Sequence, residues 1–454
     1  MNSINVNFKA KAFRAASFVL LGYGLSQVFR LCSNWVLTRL LSPELYGIIA
    51  VAHVFHRGLG LLSDLGIEPG IIRSERSDDK TFLNTAWTLQ VYRGLLLFLL
   101  SIAIAYPVSV FYNEKSLLFV LPALGTISIF QGFQSTSLAI LNKELKQGKV
   151  TYVELISQLV SIAVMIVIAY LFRNIWALVL GAVISPIVKS IWSHFLPYRI
   201  KPSFKLEKTA VTELLSFGKW IFLSTAMMFL ATQADRLLLG KLFPISLFGV
   251  YHIAAMYAEL PKDIMNSLGN RVIYPLLSKF SELPRDEIRA KIAKARFKLL
   301  LPLILLVSGL TCFGDLLMEV LYDSRYIEAA WILPLLSLGI WPFVLHLTID
   351  RILYVIGKPN YMALGNSIKF IYMLVSVPLF YKMGGPFGAV IAVMLNDIPV
   401  YISVNIGLRK EKLSLLKQDL LATGLLAILI LSGLLFRNSV GLGLPGMDIL
   451  FNGN

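Results

Sequence analysis

The sequence predicts an all-α integral membrane protein, and three observations carry this prediction. Of its 454 residues, 57% are hydrophobic and only 15% are charged, whereas soluble domains contain roughly 25% charged residues. Apolar runs of about 20 residues, long enough to cross a bilayer core, recur along the whole chain. The alternating pattern of a membrane β-barrel is absent, so helices must satisfy the backbone hydrogen bonds in lipid.

The apolar runs predict about thirteen transmembrane helices. In chain order they cover residues 15–40, 47–67, 84–106, 117–140, 151–172, 175–196, 216–240, 245–268, 297–321, 329–356, 361–381, 387–408 and 416–436. Residues 1–198 and 216–408 would each form a six-helix lobe, 199–215 a cytoplasmic linker, and 409–454 an additional helix with a tail. The first run exceeds the apolar core of a secretory signal, so we expect it to be an uncleaved span.

Two segments near the starts of the predicted lobes resemble each other. RLLSPELYGIIAVA from Arg39 matches KLFPISLFGVYHIA from Lys241, about 200 residues later along the chain. Six predicted spans separate the copies, so both enter the membrane from the same side. The lobes are therefore predicted to be parallel repeats around a central cavity.

The formal charge of +16 is explained by membrane topology rather than by nucleic acid binding. With a cytoplasmic N-terminus, most Lys and Arg residues fall on the cytoplasmic side, as the positive-inside rule requires. We therefore expect a multi-pass membrane protein whose C-terminus lies on the side opposite to the cytoplasmic N-terminus. The basic clusters between the spans would contact anionic lipid headgroups.

The polar stretch before the ninth predicted span leaves two interpretations open. In PRDEIRAKIAKARFKLL, Ile288, Ile292 and Phe297 share one side of a helix amid basic residues. This pattern is typical of an amphipathic helix at the membrane interface. A cytoplasmic extension of the following span fits the pattern equally well.

Polar side chains form a stripe along each of the first two predicted spans. Tyr23, Gln27, Arg30 and Asn34 are spaced by four, three and four residues, which places them on one helical face. The second span repeats the spacing; its members are His53, Arg57, Gly60 and Asp64. We predict that both stripes face a cavity. The alternative is structural ion pairing, of Arg57 with Asp64 or of Arg30 with an acid from a neighbouring span.

Charged residues also occur in the spans of the second predicted lobe. Asp235 and Arg236 would either act as a gate or form an interfacial pair. His346 lies one helical turn before Asp350, which Arg351 follows. Lys369 is too deep in its span for easy snorkelling. Snorkelling to the headgroups explains the remaining cations, Arg93, Lys189, Lys219 and Lys262. Deep cations outnumber deep acids, which favours an anionic substrate with a phosphate or carboxylate group.

Several chemistries have no sequence support. The chain lacks a G-x-x-x-x-G-K-[ST] loop for nucleotide phosphates, and it lacks an H-E-x-x-H or Ser/His/Asp signature. Its two cysteines, Cys32 and Cys312, lie in predicted spans without metal-ligand spacing. We expect no metal, no cofactor and no enzymatic activity.

Several motifs resemble those of bacterial O-antigen and exopolysaccharide flippases, the polysaccharide transporters of the multidrug/oligosaccharidyl-lipid/polysaccharide exporter superfamily. In chain order the motifs are RLLSPELYGIIAVA, DLGIEPGIIRSE, ADRLLLGKLFPISLFGVYHIA, ILPLLSLG and RILYVIGKPN. The resemblance implies two six-helix lobes in a V, a cationic central cavity and alternating access. It also implies the bacterial cytoplasmic (inner) membrane as the location, with a cytoplasmic N-terminus and a periplasmic C-terminus. The substrate would be an undecaprenyl-pyrophosphate-linked oligosaccharide, and a polysaccharide polymerase and a chain-length regulator are possible partners. The thirteenth span departs from a twelve-helix plan.

The resemblance also suggests roles for individual residues. Arg30, Arg57 and Lys369 would engage the pyrophosphate, with Arg236 and Arg351 as further cavity candidates from the second lobe. His53, Asp64, Asp235 and Asp350 are candidates for coupling or gating. Two alternatives stay open: a cation-coupled multidrug exporter of the related branch, and a polytopic polysaccharide polymerase or ligase.

Overall fold

In the computed structural model, the described residues are 2–63, 66–144, 146–196, 202–268 and 284–446, with side chains left aside at 2–20, 73, 215–227 and 267–268. Within these ranges the regular structure is helical throughout. The chain divides into two compact units, Met1–Phe229 and Leu230–Asn454. The predicted lobe boundaries stay a prediction.

The first unit is built from the helices that precede the middle of the chain. They are α1 (Asn2–Leu40), α2 (Pro43–Leu62), α3 (Ile67–Arg73), α4 (Lys80–Tyr112), α5 (Leu117–Gly132), α6 (Ser137–Lys143), α7 (Gln147–Phe172), α8 (Trp176–Ser193) and the first part of α9 (Lys208–Leu242). Helix α4 packs on α5, α7 packs on α8, and α1 packs on α7.

The second unit contains the end of α9 and the remaining helices. They are α10 (Ile245–Ala258), α11 (Leu260–Leu268), α12 (Arg285–Leu321), α13 (Ala329–Gly339), α14 (Trp341–Leu347), α15 (Arg351–Val355), α16 (Asn360–Met394), α17 (Ile398–Lys410) and α18 (Leu416–Ser439). Helix α12 packs on both α13 and α18, and α16 packs on α17.

The helices confirm a multi-pass membrane protein, while the number thirteen stays a prediction. By length and composition, eight helical runs of the described residues could cross a bilayer, or nine if the pair α5–α6, bent by 65°, is one span. The run Asn360–Lys410 counts once but contains two of the predicted spans. It bends at Gly384 and Gly385, where Gly385 has φ +56°, a conformation that favours glycine.

Three local findings refine the predicted elements. The two similar segments occupy matching junctions: α1 ends at Leu40 before Pro43 opens α2, and α9 ends at Leu242 before α10. Helix α12 continues from Arg285 to Leu321, so the stretch before the ninth span extends that span. Helix α9 begins at Lys208, earlier than the predicted 216, because a polar sequence can be helical outside the apolar run that marks a span.

The described part of the predicted linker lies along α4. The backbone N–H groups of Ser203, Lys205 and Glu207 donate to the side chains of Asn84, Thr88 and Thr85 at 3.1 to 3.2 Å. We call residues 202–207 the strap. Three backbone N–H groups of the strap thus have side-chain acceptors in place of the backbone acceptors that a helix or sheet would provide.

Candidate functional site

The first polar stripe lies on the continuous helix α1. Gln27 donates to the Tyr23 hydroxyl at 2.5 Å, and Arg30 is half-buried one turn further along. Ser26 and Gln158 exchange two hydrogen bonds, at 2.7 and 3.0 Å, which join α1 to α7. Helix α1 thus carries polar groups through a mostly apolar segment, and whether the stripe faces a cavity stays a prediction.

The second stripe lies on α2 and is only partly described. His53 is half-buried and Arg57 is exposed. Asp64 lies outside the described residues, so the predicted alternative pair of Arg57 with Asp64 does too. Helix α2, which carries this stripe, begins at Pro43, just after Ser42. Proline is suited to the first turn of a helix, because its missing N–H costs no helical hydrogen bond there.

Arg93 has a different role from the snorkelling that its position suggested. Its guanidinium donates to the carbonyl oxygens of Ser63 at 2.8 Å and Gly60 at 2.7 Å, at the C-terminal end of α2. Carbonyls in the last turn of a helix lack the regular intrahelical N–H partner, and a cation there also interacts favourably with the helix dipole. Arg93 therefore caps α2, which carries the second stripe.

The second unit contains a cavity of about 50 Å³ lined by several charged side chains. They are Asp235 of α9, Glu259 between α10 and α11, Lys262 of α11, Lys369 of α16 and Asp397 between α16 and α17. Glu259 and Asp397 each lie at a break between two consecutive helices. The cavity thus gathers residues from four parts of the chain.

The cations at this cavity are held by carboxylates. The Lys369 ammonium lies 2.5 Å from Asp397, and the Lys262 ammonium lies 3.9 Å from the same carboxylate. Arg236 forms an ion pair with Glu259 at 2.7 Å. Lys369 and Asp397 are both almost fully buried, which is tolerable for charges only when they are paired.

Asp235 and Arg236, adjacent in sequence, have separate partners. Asp235 accepts a hydrogen bond from the Tyr251 hydroxyl at 2.8 Å, whereas Arg236 contacts Glu259 and Gln233. Asp235 thus joins α9 to α10, and Arg236 joins α9 to the residue that follows α10. Three carboxylates and three cations, counting Arg236, balance around this site.

His346, Asp350 and Arg351 surround the break between α14 and α15. The His346 Nδ1 atom lies 3.7 Å from Asp350, and the Arg351 Nε atom lies 3.9 Å from it. Among the described residues, neither ring nitrogen of His346 and neither carboxylate oxygen of Asp350 has a hydrogen-bond partner. Both side chains are at most 3% exposed. Burying a carboxylate without a hydrogen bond costs free energy, which distinguishes Asp350 from Glu259 and Asp397.

Sequence reasoning missed Glu259 and Asp397 and assigned Lys262 to snorkelling. All three lie inside predicted spans, so a search for every acid in the apolar runs would have found the two carboxylates. Their partners could not be found in this way. Lys369 and Asp397 are 28 residues apart, and only the packing of α16 with α17 brings them together.

Curated relatives of the chain act in polysaccharide biosynthesis, according to their names. The chain is 23% identical over 280 residues to the teichuronic acid biosynthesis protein TuaB of Bacillus subtilis, covering 61% of this chain and 57% of TuaB. It is 22% identical over 336 residues to the lipopolysaccharide biosynthesis protein WzxC of Escherichia coli, covering 72% of this chain and 65% of WzxC. The matched region therefore spans less than two thirds of either relative.

Solved structures show the same fold at low sequence identity. The lipid II flippase MurJ, in an inward closed conformation, matches with a TM-score of 0.66 and 16% identity over 95% of this chain and 98% of MurJ. An inward-facing multidrug resistance transporter of the MATE family also matches with a TM-score of 0.66, at 12% identity over 88% of this chain and 95% of its own. The family model for polysaccharide biosynthesis proteins matches residues 36–331. The chain belongs to this family of polysaccharide biosynthesis proteins.

Proposed function

We propose that the chain is a flippase that moves undecaprenyl-pyrophosphate-linked oligosaccharide units across the cytoplasmic membrane for O-antigen, capsule or exopolysaccharide synthesis. The observation that carries the proposal is the polar stripe of α1, with Arg30 amid an apolar helix of a polysaccharide biosynthesis family member. A guanidinium retains its proton and binds phosphate oxygens through paired donors, so it suits a pyrophosphate in a low-dielectric path.

In the proposed cycle, the two lobes form a central cavity that opens alternately to each side. Arg30 and Arg57 engage the pyrophosphate from the first lobe while the lipid tail stays in the bilayer. In the second lobe, three cations bind the substrate by exchanging a carboxylate partner for a phosphate group. They are Lys369, Arg236 and Arg351. The substrate shifts the two-state equilibrium only through its different affinity for each state.

A second ligand must reset the cycle, and we propose a proton. Asp350 beside His346 is the strongest candidate, because its buried oxygens have no hydrogen-bond partner within the described ranges. Asp235 is a candidate for gating, since its hydrogen bond with Tyr251 joins α9 to α10. His53 and Asp64 are further coupling candidates, and the polymerase and chain-length regulator are proposed partners.

Two other functions fit less well. A multidrug exporter that takes up cations would be expected to present unpaired acids, whereas Glu259 and Asp397 of the second-unit cavity are paired with Arg236 and Lys369. A polymerase or ligase would need a sizeable outer loop to present catalytic groups to the sugar. The predicted outer loops are short.

Deletion of the gene in its native bacterium tests the function. We expect loss of surface polysaccharide and accumulation of complete undecaprenyl-linked units on the cytoplasmic face, measured by lipid extraction and mass spectrometry. Continued surface display together with altered drug sensitivity would favour the multidrug exporter. Polymer loss with units already translocated would favour the polymerase.

Substitution of Arg30 tests the proposed binding role. In the deletion strain, Arg30→Ala should abolish complementation, while Arg30→Lys should retain part of it because a charge remains without the paired donors. Expression in the membrane fraction, measured by immunoblot, controls for folding. Full activity of the alanine variant at normal expression would reject the assignment.

A further inference from the structure

The C-terminal helix α18 is joined to α12 by two buried ion pairs at its opposite ends. Near the start of α18, Asp419 lies 2.5 Å from Arg296 of α12. Near its end, Arg437 lies 2.6 Å from Asp315 of α12. All four residues are at most 3% exposed. The arrangement is reciprocal, because each helix supplies the cation of one pair and the acid of the other.

Each pair is embedded in further hydrogen bonds that define its geometry. Arg296 also donates to the Thr348 hydroxyl at 2.7 Å and to the Leu345 carbonyl at 2.8 Å, and the Tyr401 hydroxyl donates to Asp419 at 2.9 Å. These contacts give Arg296 two further acceptors and Asp419 one donor, and additional partners of this kind are the condition under which a buried pair is tolerated.

The second pair also holds the chain that follows α18. Arg437 contacts both carboxylate oxygens of Asp315 and donates to the carbonyls of Cys312, Leu442 and Gly443. The N–H of Gly446 donates to Asp315 at 3.2 Å. Residues 440–446 are thereby folded back onto the end of the helix pair.

The spacing of the two pairs matches the thickness of a membrane. The segment between the pairs in α18, residues 420–436, contains no charged residue, and that in α12, residues 297–314, contains only Lys298, two residues from Arg296. At 1.5 Å per residue these segments are roughly 26 to 27 Å long, close to the ~30 Å of a bilayer core. Arg and Asp side chains placed at the two ends can lie at the edges of the hydrocarbon layer.

From these contacts we infer that α18 crosses the membrane fully and is clamped to α12 in a single register, as a stationary part of the second unit. A one-turn slide would separate both buried pairs at once, so the two pairs together exclude it. This inference does not depend on the substrate proposed above. It assigns Arg296, Asp315, Asp419 and Arg437 to positioning α18.

A natural cysteine makes the register directly testable. Helix α18 approaches α12 closely at Gly433, where an added Cβ atom would lie 3.2 Å from the Cys312 Cβ atom and 2.7 Å from its sulfur. Disulfides join Cβ atoms about 3.5 to 4.5 Å apart, so a shift of a few tenths of an ångström suffices. In a Cys32→Ser background, we expect Gly433→Cys to form a disulfide with Cys312 in membranes treated with a copper–phenanthroline oxidant.

Two further measurements decide the inference. Leu431→Cys, on the exposed side of α18, should give no disulfide with Cys312. Cross-linked Gly433→Cys should support as much complementation of the deletion strain as the same variant kept reduced, because α18 does not slide. Absence of the Cys312 disulfide, an equal yield from Leu431→Cys, or loss of complementation only in the oxidised form would overturn the inference.

Thermal unfolding provides a test if Gly433→Cys does not accumulate. In detergent, Arg437→Gln and Asp315→Asn should each lower the melting temperature, and the double variant should be more stable than the sum of the two effects predicts. Strict additivity would show that the two side chains do not form the pair, and would overturn the clamp.

Discussion

Lys369 illustrates why a buried cation is not by itself evidence of substrate binding. Its ammonium is almost fully buried and lies 2.5 Å from Asp397, so it has a structural partner in the resting protein. Removing one member of a buried pair leaves the other charge uncompensated and costs about 3 to 5 kcal/mol. An inactive Lys369→Ala variant would therefore not distinguish loss of binding from loss of folding.

A paired substitution separates the two roles of Lys369. We expect Lys369→Met to destabilise the protein by about 3 to 5 kcal/mol, and Lys369→Met/Asp397→Asn to recover most of that loss because no unpaired carboxylate remains. If Lys369 binds pyrophosphate, the double variant should accumulate in the membrane but fail to complement. Thermal unfolding and complementation provide the two readouts.

An exposed ion pair provides the matched control. Lys189 lies 3.0 Å from Glu154, and both side chains are partly exposed to the surroundings. Such pairs contribute at most about 1 kcal/mol, so Lys189→Met/Glu154→Gln should leave stability and complementation nearly unchanged. A fully active Lys369→Met/Asp397→Asn variant would assign Lys369 to structure alone.

Among the elements, the strap shows how a connection without helix or sheet is held in place. Arg76 forms ion pairs with Asp79, just before α4, at 2.5 Å and with Glu207, at the end of the strap, at 2.8 Å. The Thr209 hydroxyl and the Arg76 guanidinium lower the pKa of the Glu207 carboxyl. Arg76 and the backbone N–H of Thr81 lower the pKa of Asp79. The strap is thus bound to α4 most firmly when both carboxyls are ionised.

This arrangement predicts that acid loosens the strap. Because both carboxyl pKa values are lowered in the folded state, their contribution is present above the ordinary carboxyl pKa of about 4 and is lost as pH falls through the lowered values. Hydrogen–deuterium exchange, corrected for its intrinsic pH dependence, should show that protection of the Lys205 and Glu207 amides declines on acidification below that range.

Arg76→Gln is the control for the strap. Without the guanidinium, protection of the two amides should be weaker at neutral pH and should change less on acidification, while amides in the middle of α4 stay protected. Unchanged protection of the strap from neutral pH down to pH ~2 in the natural sequence would contradict the role of Arg76.

At the scale of the whole molecule, α18 is packed as part of its own compact unit, while the predicted lobe boundaries stay a prediction. The second unit extends from Leu230 to Asn454 and includes α18, which supplies partners to two buried charges of α12. The additional helix is therefore integral to its unit. The first unit, by contrast, includes the strap and the first part of α9.

Truncation tests whether α18 is required by its unit. A chain ending after Lys410 would leave Arg296 and Asp315 without their ionic partners, so we expect little accumulation in the membrane and no complementation. A chain ending after Gly446 keeps both pairs and should accumulate normally. Normal accumulation of the shorter chain, measured by immunoblot, would contradict this prediction.

The sequence by itself determined that this is a helical, multi-pass membrane protein, and it placed helices where the apolar runs occur. It also placed Tyr23, Gln27 and Arg30 on one face of α1, because length, hydropathy and helical spacing are local properties. The flippase resemblance agrees with the family to which the chain belongs.

Only the tertiary structure decided which charges meet. Lys369 pairs with a carboxylate 28 residues away, and Arg437 pairs with one 122 residues away. Local periodicity says which face of a helix a charge occupies but not which helix packs against that face. The buried pairs form because neighbouring helices bring opposite charges together where water is excluded. This packing pairs Arg437 with Asp315 and Asp397 with Lys369.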